Sequence, residues 1–512
     1  MMPNNLTFSL PPNFSKDFLA SIVVFLVALP LCLGIAIASG LPPTAGIVTG
    51  IVGGIIVGAM SGSQLTVSGP AAGLVVLVAE ILTAYGVAML SIILLLAGIM
   101  QMAAGALKLG VWFRAISPAV IHGMLAGIGI LIIGSQFHIM LDRTPLANGV
   151  QNLMDIPHAL VETFAHHGGN LDAAVIGLLT IGAIVLWTRF APSRLRLIPG
   201  ALIGVLLAIF VANGLNLDVK FLSQLFEEPA HISTLFEFSI PSWEHIENSL
   251  NGGVLLAVIS LAFIASAETL LSVAAVDKMH QGPRAKYDRE LFAQGVGNTL
   301  CGMLGALPMT GVIVRSSTNV QAGAVSRKST IMHGLWLLLF VGVFLFTLQY
   351  IPVATLAAVL VYTGYKLAYP KVAKELLAFG KTELAIYIIT LTTIVCFDLL
   401  TGVVTGLVLS LAKLIYIFAH VSIKLEDNLP DGSVTLHLKG SATFLGLPKL
   451  ANALEDIEPS RIVNIQFDDL EYIDHACIEL LDNWQKQYAM TGGNAHIHWD
   501  SLMSKYHQSN GR

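Results

Sequence analysis

The chain has 512 residues, of which 55% are hydrophobic and 12% are charged, and its formal net charge is −5. Ordinary soluble domains carry about 25% charged residues, so this composition excludes a soluble globular protein and predicts an all-α polytopic membrane protein. The small net charge says little about binding partners, and we do not expect the protein to bind nucleic acid. The G-x-S-x-G, H-E-x-x-H and P-loop motifs are missing from the sequence, so we expect no enzyme.

About fourteen apolar segments are long enough to span or half-span a bilayer. They lie at roughly 18–39, 43–60, 69–84, 87–107, 116–139, 172–190, 196–212, 253–276, 290–306, 311–324, 329–349, 351–366, 382–397 and 399–419. Segments three and ten are short, and each follows a Gly/Pro break, 68-SGP-70 or 308-PMTG-311. Short, interrupted spans at matching positions of two halves point to a transporter binding site. Seven segments in each half predict an inverted repeat, with repeat one at about 18–212 and repeat two at about 253–419.

The Lys and Arg residues predict the topology. If the N-terminus is cytoplasmic, the outer loops hold only Arg143 and Lys220. The inner loops then hold Lys108, Arg114, Arg189, Arg194, Arg196, Lys278, Arg284, Lys286, Arg289, Arg327, Lys328, Lys366, Lys371, Lys374 and Lys381. This asymmetry supports a cytoplasmic N-terminus and tail. In the outer loops, about 140–171 and 213–251, the residues His166, His167, His231 and His245 are expected to be solvated and to bind no metal.

The chain changes character after about residue 424. Strand-like patterns at 433–440, 461–467 and 494–499 alternate with helix-like patterns at 446–457 and 475–490. We therefore predict a membrane domain over residues 1–424 and a short cytoplasmic α/β domain over residues 425–512.

Arg315 lies in 309-MTGVIVRSSTNVQAGA-324, between two apolar segments. A cation at the centre of a bilayer costs about 2.5–3.5 kcal/mol on insertion scales, so such a residue usually lines an ion path. The alternative is a side chain that snorkels to a membrane face. Because Pro308 and Gly311 allow the backbone to break and restart as a short helix, the segment predicts a helix N-terminus that attracts an anion.

The third segment, 68-SGPAAGLVVLVAE-80, predicts a second helix N-terminus. The backbone N–H groups of Ala71, Ala72 and Gly73 are expected to be free there, and small side chains let an anion approach. The alternative interpretation is tight helix packing by small residues. Glu80 lies deeper in the same segment and is expected to be structural or interfacial.

Segment eight, 264-IASAETLLSVAAV-276, places Glu268 in mid-membrane and Ser272 four residues later on the same face. An intramembrane carboxylate is a functional hypothesis by default, and the alternative is a structural partner that is neutral or ion-paired. Three functional roles stay open: Glu268 binds Na⁺ with Ser272, carries a proton, or balances the charge of Arg315.

These motifs together resemble the sulfate permease (SulP) family of anion transporters over nearly the whole chain. The resemblance rests on 27-VALPLCLGIAIASGLPPTAGI-47, 68-SGP-70, 268-ETLLS-272, 295-GVGN-298 and Thr310 to Arg315. The tail is similar to a STAS domain, the usual C-terminal partner in this family. The resemblance implies a homodimer in which a core domain (the helices of segments 1–4 and 8–11) moves against a gate domain (the helices of segments 5–7 and 12–14) as an elevator.

The resemblance also implies an anion held between the N-termini of helices three and ten. The substrate-binding residues it implies are Gly69, Pro70, Ala71, Ala72, Thr310, Gly311, Val312 and Arg315. Among them Gly311 and Val312 would supply backbone donors, and Arg315 would set the positive field. Glu268 and Ser272 would occupy the coupling-ion position.

The sequence departs from the family pattern in four places. Leu31 and Ile35 stand where many members have a Gln and an aromatic residue. This pattern favours bicarbonate over sulfate as the substrate. Ile313 stands where bicarbonate members use a Thr oxygen for Na⁺, so a proton on Glu268 rivals Na⁺ as the coupling ion. Asp474-His475 replaces the Asp-Ser of many STAS domains, so a phosphorylation switch is not expected there.

We therefore predict a secondary carrier of a small inorganic oxyanion, bicarbonate or sulfate, in a bacterial inner membrane. Its coupling ion is H⁺ or Na⁺, and no other cofactor or metal is expected. The alternatives are a dicarboxylate–proton symporter of the same fold or, from a different class, an anion channel or a sensor whose output is the tail.

Overall fold

A computed structural model describes residues 14–110, 117–146, 149–165, 170–192, 195, 198–225, 251–419, 421–426, 433–467, 470–499 and 502. All four loop histidines named above lie outside these residues, and so do the cations Arg114, Arg194 and Arg196. The chain divides into two compact units, Met1–Gly406 and Leu407–Arg512.

Helices make up most of the described chain before the tail. They are α1 (Phe14–Ala38), α2 (Pro43–Met60), α3 (Ala72–Ala106), α4 (Pro118–Met140), α5 (Gly149–Phe164), α6 (Leu171–Phe190), α7 (Gly200–Gly214), α8 (Gly252–Asp277), α9 (Tyr287–Met303), α10 (Ile313–Gln321), α11 (Lys328–Val343), α12 (Val353–Leu367), α13 (Lys371–Phe379), α14 (Lys381–Cys396) and α15 (Leu399–Ala419). Short 3₁₀ turns lie at Leu222–Leu225 and Leu345–Tyr350.

A helix lies on each of the fourteen apolar segments. The third and fourth segments are joined in α3, but Gly86 (φ 80°, ψ 174°) breaks the helix between them, a conformation that suits glycine. Seven of the described helices are long and apolar enough to cross a membrane, namely α1, α2, α3, α4, α6, α8 and α15. The chain is thus a helical membrane protein, and fourteen spans in an inverted repeat stay a prediction.

Two three-residue strands interrupt the helices, so the prediction of an all-α membrane part is wrong in this detail. Strand β1 (Ser68–Pro70) precedes α3, and strand β2 (Met309–Gly311) precedes α10. They pair antiparallel, with Gly69 opposite Thr310. The pairing satisfies backbone groups that the broken helices leave without helical partners.

Two amphipathic helices occupy stretches predicted as loops. Helix α5 lies in the predicted outer loop 140–171 and exposes Met154, Val161 and Phe164. Helix α13 exposes Leu377 and Phe379. Exposed apolar side chains on a short amphipathic helix are typical of a helix that lies in a membrane interface.

The tail is an α/β unit. Its elements are β3 (Val421–Glu426), β4 (Val434–Ala442), α16 (Leu447–Glu455), β5 (Ile462–Gln466), β6 (Leu470–Ile473), α17 (His475–Met490) and β7 (Asn494–Ile497). The strand order is β3-β4-β5-β7, with β6 also paired to β4; β3 and β4 are antiparallel, and the other pairs are parallel. Leu436, Leu450, Ile465 and Leu481 lie in its buried core. Strand β3 begins before the predicted boundary at residue 424.

Asp474 caps α17, because its Oδ1 accepts a hydrogen bond from the Cys477 N–H at 2.9 Å and its Oδ2 accepts one from the Phe444 N–H. Loss of an N-cap costs about 0.5–2 kcal/mol. We expect Asp474→Ala to speed amide hydrogen exchange in the first turn of α17, measured on the full chain by mass spectrometry, whereas Asp474→Asn keeps the cap. Equal exchange in the two variants would contradict this role.

Candidate functional site

The β1–β2 pair brings two helix N-termini together. Ala71 precedes α3 and Val312 precedes α10, and both residues are extended, at φ −108° and φ −100°. Neither helix start is capped by a side chain of the described residues. The first-turn N–H groups of both helices therefore lack the partners that a capping side chain supplies, and each end carries the positive pole of its helix.

A cavity of about 60 Å³ lies at these two N-termini. Its lining is mostly apolar, and Glu268 is its single charged side chain. The lining residues are Leu31, Ile35, Ala72, Gly73, Leu125, Glu268, Leu271, Ser272, Val312, Ile313, Val314, Thr363 and Leu367. Since one water needs roughly 10–15 Å³ by this measure, the cavity accommodates a small polyatomic ion or a few waters.

Glu268 lies directly against the start of α3. A Cβ placed on Gly73 would lie 2.6 Å from Glu268 Oε2, so the carboxylate occupies the space beside this glycine. Glu268 Oε2 is buried without a hydrogen-bond partner among the described residues. Ser272 lines the same cavity one turn further along α8. The two predicted coupling residues thus face the predicted anion position.

Arg315 lies behind the strand pair rather than in the cavity wall. Its side chain is fully buried, and its Nη2 lies 3.5 Å from the Pro70 carbonyl oxygen. Nε and Nη1 have no hydrogen-bond partner, and no carboxylate lies within ion-pair distance, among the residues that the structure describes. A buried cation without a counter-charge makes its surroundings positive over several ångströms. Arg315 is not among the lining residues of the cavity, so the influence expected of it there is electrostatic rather than by direct contact.

The structure separates the predicted substrate residues into two groups. Ala72 and Val312 line the cavity, whereas Gly69, Pro70, Ala71, Thr310 and Gly311 are buried in and beside the strand pair. The predicted backbone donors need a correction. The Gly311 N–H donates to Thr269 Oγ1 at 3.1 Å, and the Val312 N–H donates to the Val67 carbonyl at 2.9 Å. Both N–H groups already have protein partners, so Ile313 and Val314, in the first turn of α10, are the better donor positions.

Several lining residues were not predicted as site residues. Leu125 on α4, and Thr363 and Leu367 on α12, are among them. They are ordinary residues of long apolar helices, and nothing in their spacing distinguishes them. Gly73, by contrast, is one of the residues whose backbone N–H groups the sequence predicts to be free at the start of this helix, and it does line the cavity.

Gly69 makes room for Arg315. A Cβ on Gly69 would lie 2.1 Å from Arg315 Nη1. Overpacking a buried position costs about 1–3 kcal/mol, so we expect Gly69→Ala to lower the melting temperature of the purified protein. Gly182→Ala is the matched control, because a Cβ at Gly182 meets no atom within 4 Å. Equal melting temperatures of the two variants would show that the guanidinium is not held against Gly69.

The comparison with known proteins decides the family. The sequence profile of the sulfate permease family matches residues 14–390. This chain belongs to the sulfate permease family. The resemblance that the motifs indicated is therefore confirmed, and because the match ends at residue 390, the STAS-like tail stays a prediction.

Relatives of this sulfate permease family chain cover most of its length. The "Putative sulfate transporter YvdB" of Bacillus subtilis (strain 168) is 29% identical over an alignment of 466 residues that covers 89% of this chain and 84% of the relative. The transmembrane domain of a cyanobacterial bicarbonate transporter, BicA, matches with a TM-score of 0.66 at 22% identity, over 77% of this chain and 98% of that one. The murine anion transporter Slc26a9 in its inward-facing state matches with a TM-score of 0.77 at 15% identity, over 96% and 87%. Both structures share the fold.

Proposed function

We propose that this chain is a secondary active transporter of a small inorganic oxyanion, bicarbonate or sulfate, in a bacterial inner membrane. The observation that carries the proposal is the cavity of about 60 Å³ between the N-termini of α3 and α10. Two positive helix poles and the field of Arg315 favour an anion there. The names of the relatives, a sulfate transporter and a bicarbonate transporter, support the same class of substrate.

Glu268 supports a coupled mechanism. An anion at the two helix ends and an ionised Glu268 in the same cavity wall would repel each other, at a cost that is large where water is scarce. Binding of the anion therefore favours a cation at Glu268, either a proton or Na⁺. Ser272 offers one further oxygen, whereas Ile313 offers none in its side chain. The two coupling ions make different demands, since Na⁺ needs several oxygen ligands and a proton needs the carboxylate alone.

The origin of the cavity walls supports an elevator. One wall comes from α1, α3, α8 and α10, which belong to the predicted core domain. The lining also includes Leu125 on α4 and Thr363 and Leu367 on α12, and these two helices belong to the predicted gate domain. A substrate held by the core and covered by an apolar gate surface can be carried past that surface as the core moves. We also propose a homodimer with a cytoplasmic STAS-like tail, as the family resemblance implies.

The volume and lining of this cavity help to distinguish the proposed carrier from the alternative functions. A dicarboxylate has two charged ends, whereas the cavity offers one positive region, at the helix N-termini, and its single charged side chain is the acidic Glu268. The same-fold dicarboxylate–proton symporter is therefore the weaker candidate. An anion channel requires a continuous polar path, whereas the described cavity has a mostly apolar lining that includes Leu125 and Leu367. A non-transporting sensor would bind the anion without moving it.

Uptake into proteoliposomes tests the proposal. Radiolabelled bicarbonate and sulfate are offered at fixed pH, with and without a Na⁺ gradient, and with chloride and fumarate as competitors. We expect saturable uptake of one oxyanion that responds to a proton or Na⁺ gradient. Large unitary currents would indicate a channel, preferential fumarate uptake would indicate the dicarboxylate symporter, and anion binding without uptake would indicate a sensor.

A further inference from the structure

A second and larger cavity shares helix α12 with the anion site but has its own set of lining residues. It is a groove of about 530 Å³ between α6 and α12, which pack against each other. Its lining residues are Ile181, Val185, Thr188, Arg189, Val361, Tyr362 and Tyr365. None of them lines the cavity that contains Glu268.

The groove is apolar at one end and cationic at the other. Ile181, Val185 and Val361 lie one to two turns before the cationic end along their helices. At that end Arg189 lines the groove, and Lys366 Nζ lies 4.7 Å from the ring centroid of Tyr362, a lining residue. The lining contains no acidic residue, and in the part of the chain that is described no carboxylate forms an ion pair with Arg189 or Lys366. Both cations are exposed and available to an anionic group.

The apolar end continues along an exposed helix face. On α6, Leu178 is 62% exposed and Leu186 is 59% exposed, and Val185 in the groove is 44% exposed. In a membrane protein such a face lies against acyl chains. Tyr365 and Tyr369, both about half exposed, lie at the cationic end, where aromatic side chains mark the level of the headgroups. The loops that follow α6 and α12 are the ones predicted to face the cytoplasm.

We propose that this groove binds one anionic phospholipid, with an acyl chain along Ile181, Val185 and Val361 and the phosphate between Arg189 and Lys366. Basic pockets between transmembrane helices on the cytoplasmic side suit anionic headgroups, and a guanidinium binds a phosphate through two parallel hydrogen bonds. Both helices belong to the predicted gate domain. A lipid bound there would hold the gate in the bilayer while the core moves.

Native mass spectrometry of the full-length protein tests the proposal, with titration of phosphatidylglycerol and phosphatidylcholine of identical acyl chains. We expect wild type to retain phosphatidylglycerol preferentially. Each cation near an anionic headgroup contributes a similar share of the binding free energy. The double variant Arg189→Gln/Lys366→Gln should therefore weaken phosphatidylglycerol binding roughly 30-fold. Lys278→Gln/Lys328→Gln removes the same charge from other predicted inner loops and should leave binding unchanged.

A third variant separates shape from charge. Val185→Trp fills the groove and keeps both cations, and it should also lower phosphatidylglycerol retention. Inorganic phosphate and glycerol phosphate at millimolar concentration should not compete, since they lack the acyl chain. Equal retention of the two lipids, equal binding by the two double variants, or competition by free phosphate would each overturn the proposal. A lipid-independent loss of the dimer in Val185→Trp would overturn it too, by assigning the groove to a subunit interface.

Discussion

Replacing Arg315 with Gln lowers oxyanion uptake by about two orders of magnitude, as expected for the loss of one preorganised electrostatic donor. The guanidinium is fully buried behind β1, and no carboxylate is paired with it among the residues described. Its charge is therefore not cancelled locally, and it stabilises an anion at the N-termini of α3 and α10. The measurement is the initial rate of uptake into proteoliposomes with matched protein content.

The Arg315 variant should stay folded. Breaking a buried ion pair is costly because the partner charge is left alone, and here no such partner is described. Arg315→Lys keeps the charge and should retain part of the uptake. Arg327→Gln, at the start of α11, removes the same charge away from the cavity and serves as the control. Wild-type uptake in Arg315→Gln would remove this residue from the mechanism.

Replacing Glu268 with Gln abolishes gradient-driven accumulation while exchange of the anion across the membrane continues. The amide has the shape of the carboxylic acid but neither binds nor releases a proton, and it cannot offer a full negative charge to Na⁺. We therefore expect the ratio of internal to external anion to fall to that of passive equilibration. The measurement compares net accumulation with counterflow under imposed pH and Na⁺ gradients.

Glu80→Gln is the matched control for Glu268, because Glu80 lies on α3, is exposed and does not line the cavity. It should respond to both gradients as wild type does. If Glu268→Gln keeps its response to both gradients, Glu268 has no part in coupling, and its role is structural.

The helices are predictable from the sequence because apolar runs and the glycines that interrupt them can be recognised within a short stretch of chain. The pattern at 475–490 predicts α17 with both ends correct, and the gap between segments three and four falls at Gly86. The strands β1 and β2 were not predicted, since three residues such as 68-SGP-70 are too few to show an alternating pattern. Helix α5 did carry a signal, because Val150, Leu153, Ile156, Leu160 and Phe164 recur at helical spacing.

The site was predictable only in part. Glu268 and Ser272 stand out because they are polar in an apolar segment, and the structure places both in the cavity wall. Leu125 and Leu367 carry no such contrast, and tertiary packing alone brings them to the cavity. The sequence also could not show that Arg315 lies behind β1, or that the Gly311 N–H is taken by Thr269. Those facts depend on the pairing of two segments about 240 residues apart.

The central claim is that a small oxyanion binds between the N-termini of α3 and α10. Cryo-electron microscopy of the protein in lipid nanodiscs tests it most directly, with one map at saturating bicarbonate, one with selenate as a heavy sulfate analogue, and one with neither. We predict added density in the cavity bounded by Gly73, Ile313 and Glu268 for the anion that is transported. Density for that anion at another position, with this cavity unchanged, would contradict the account.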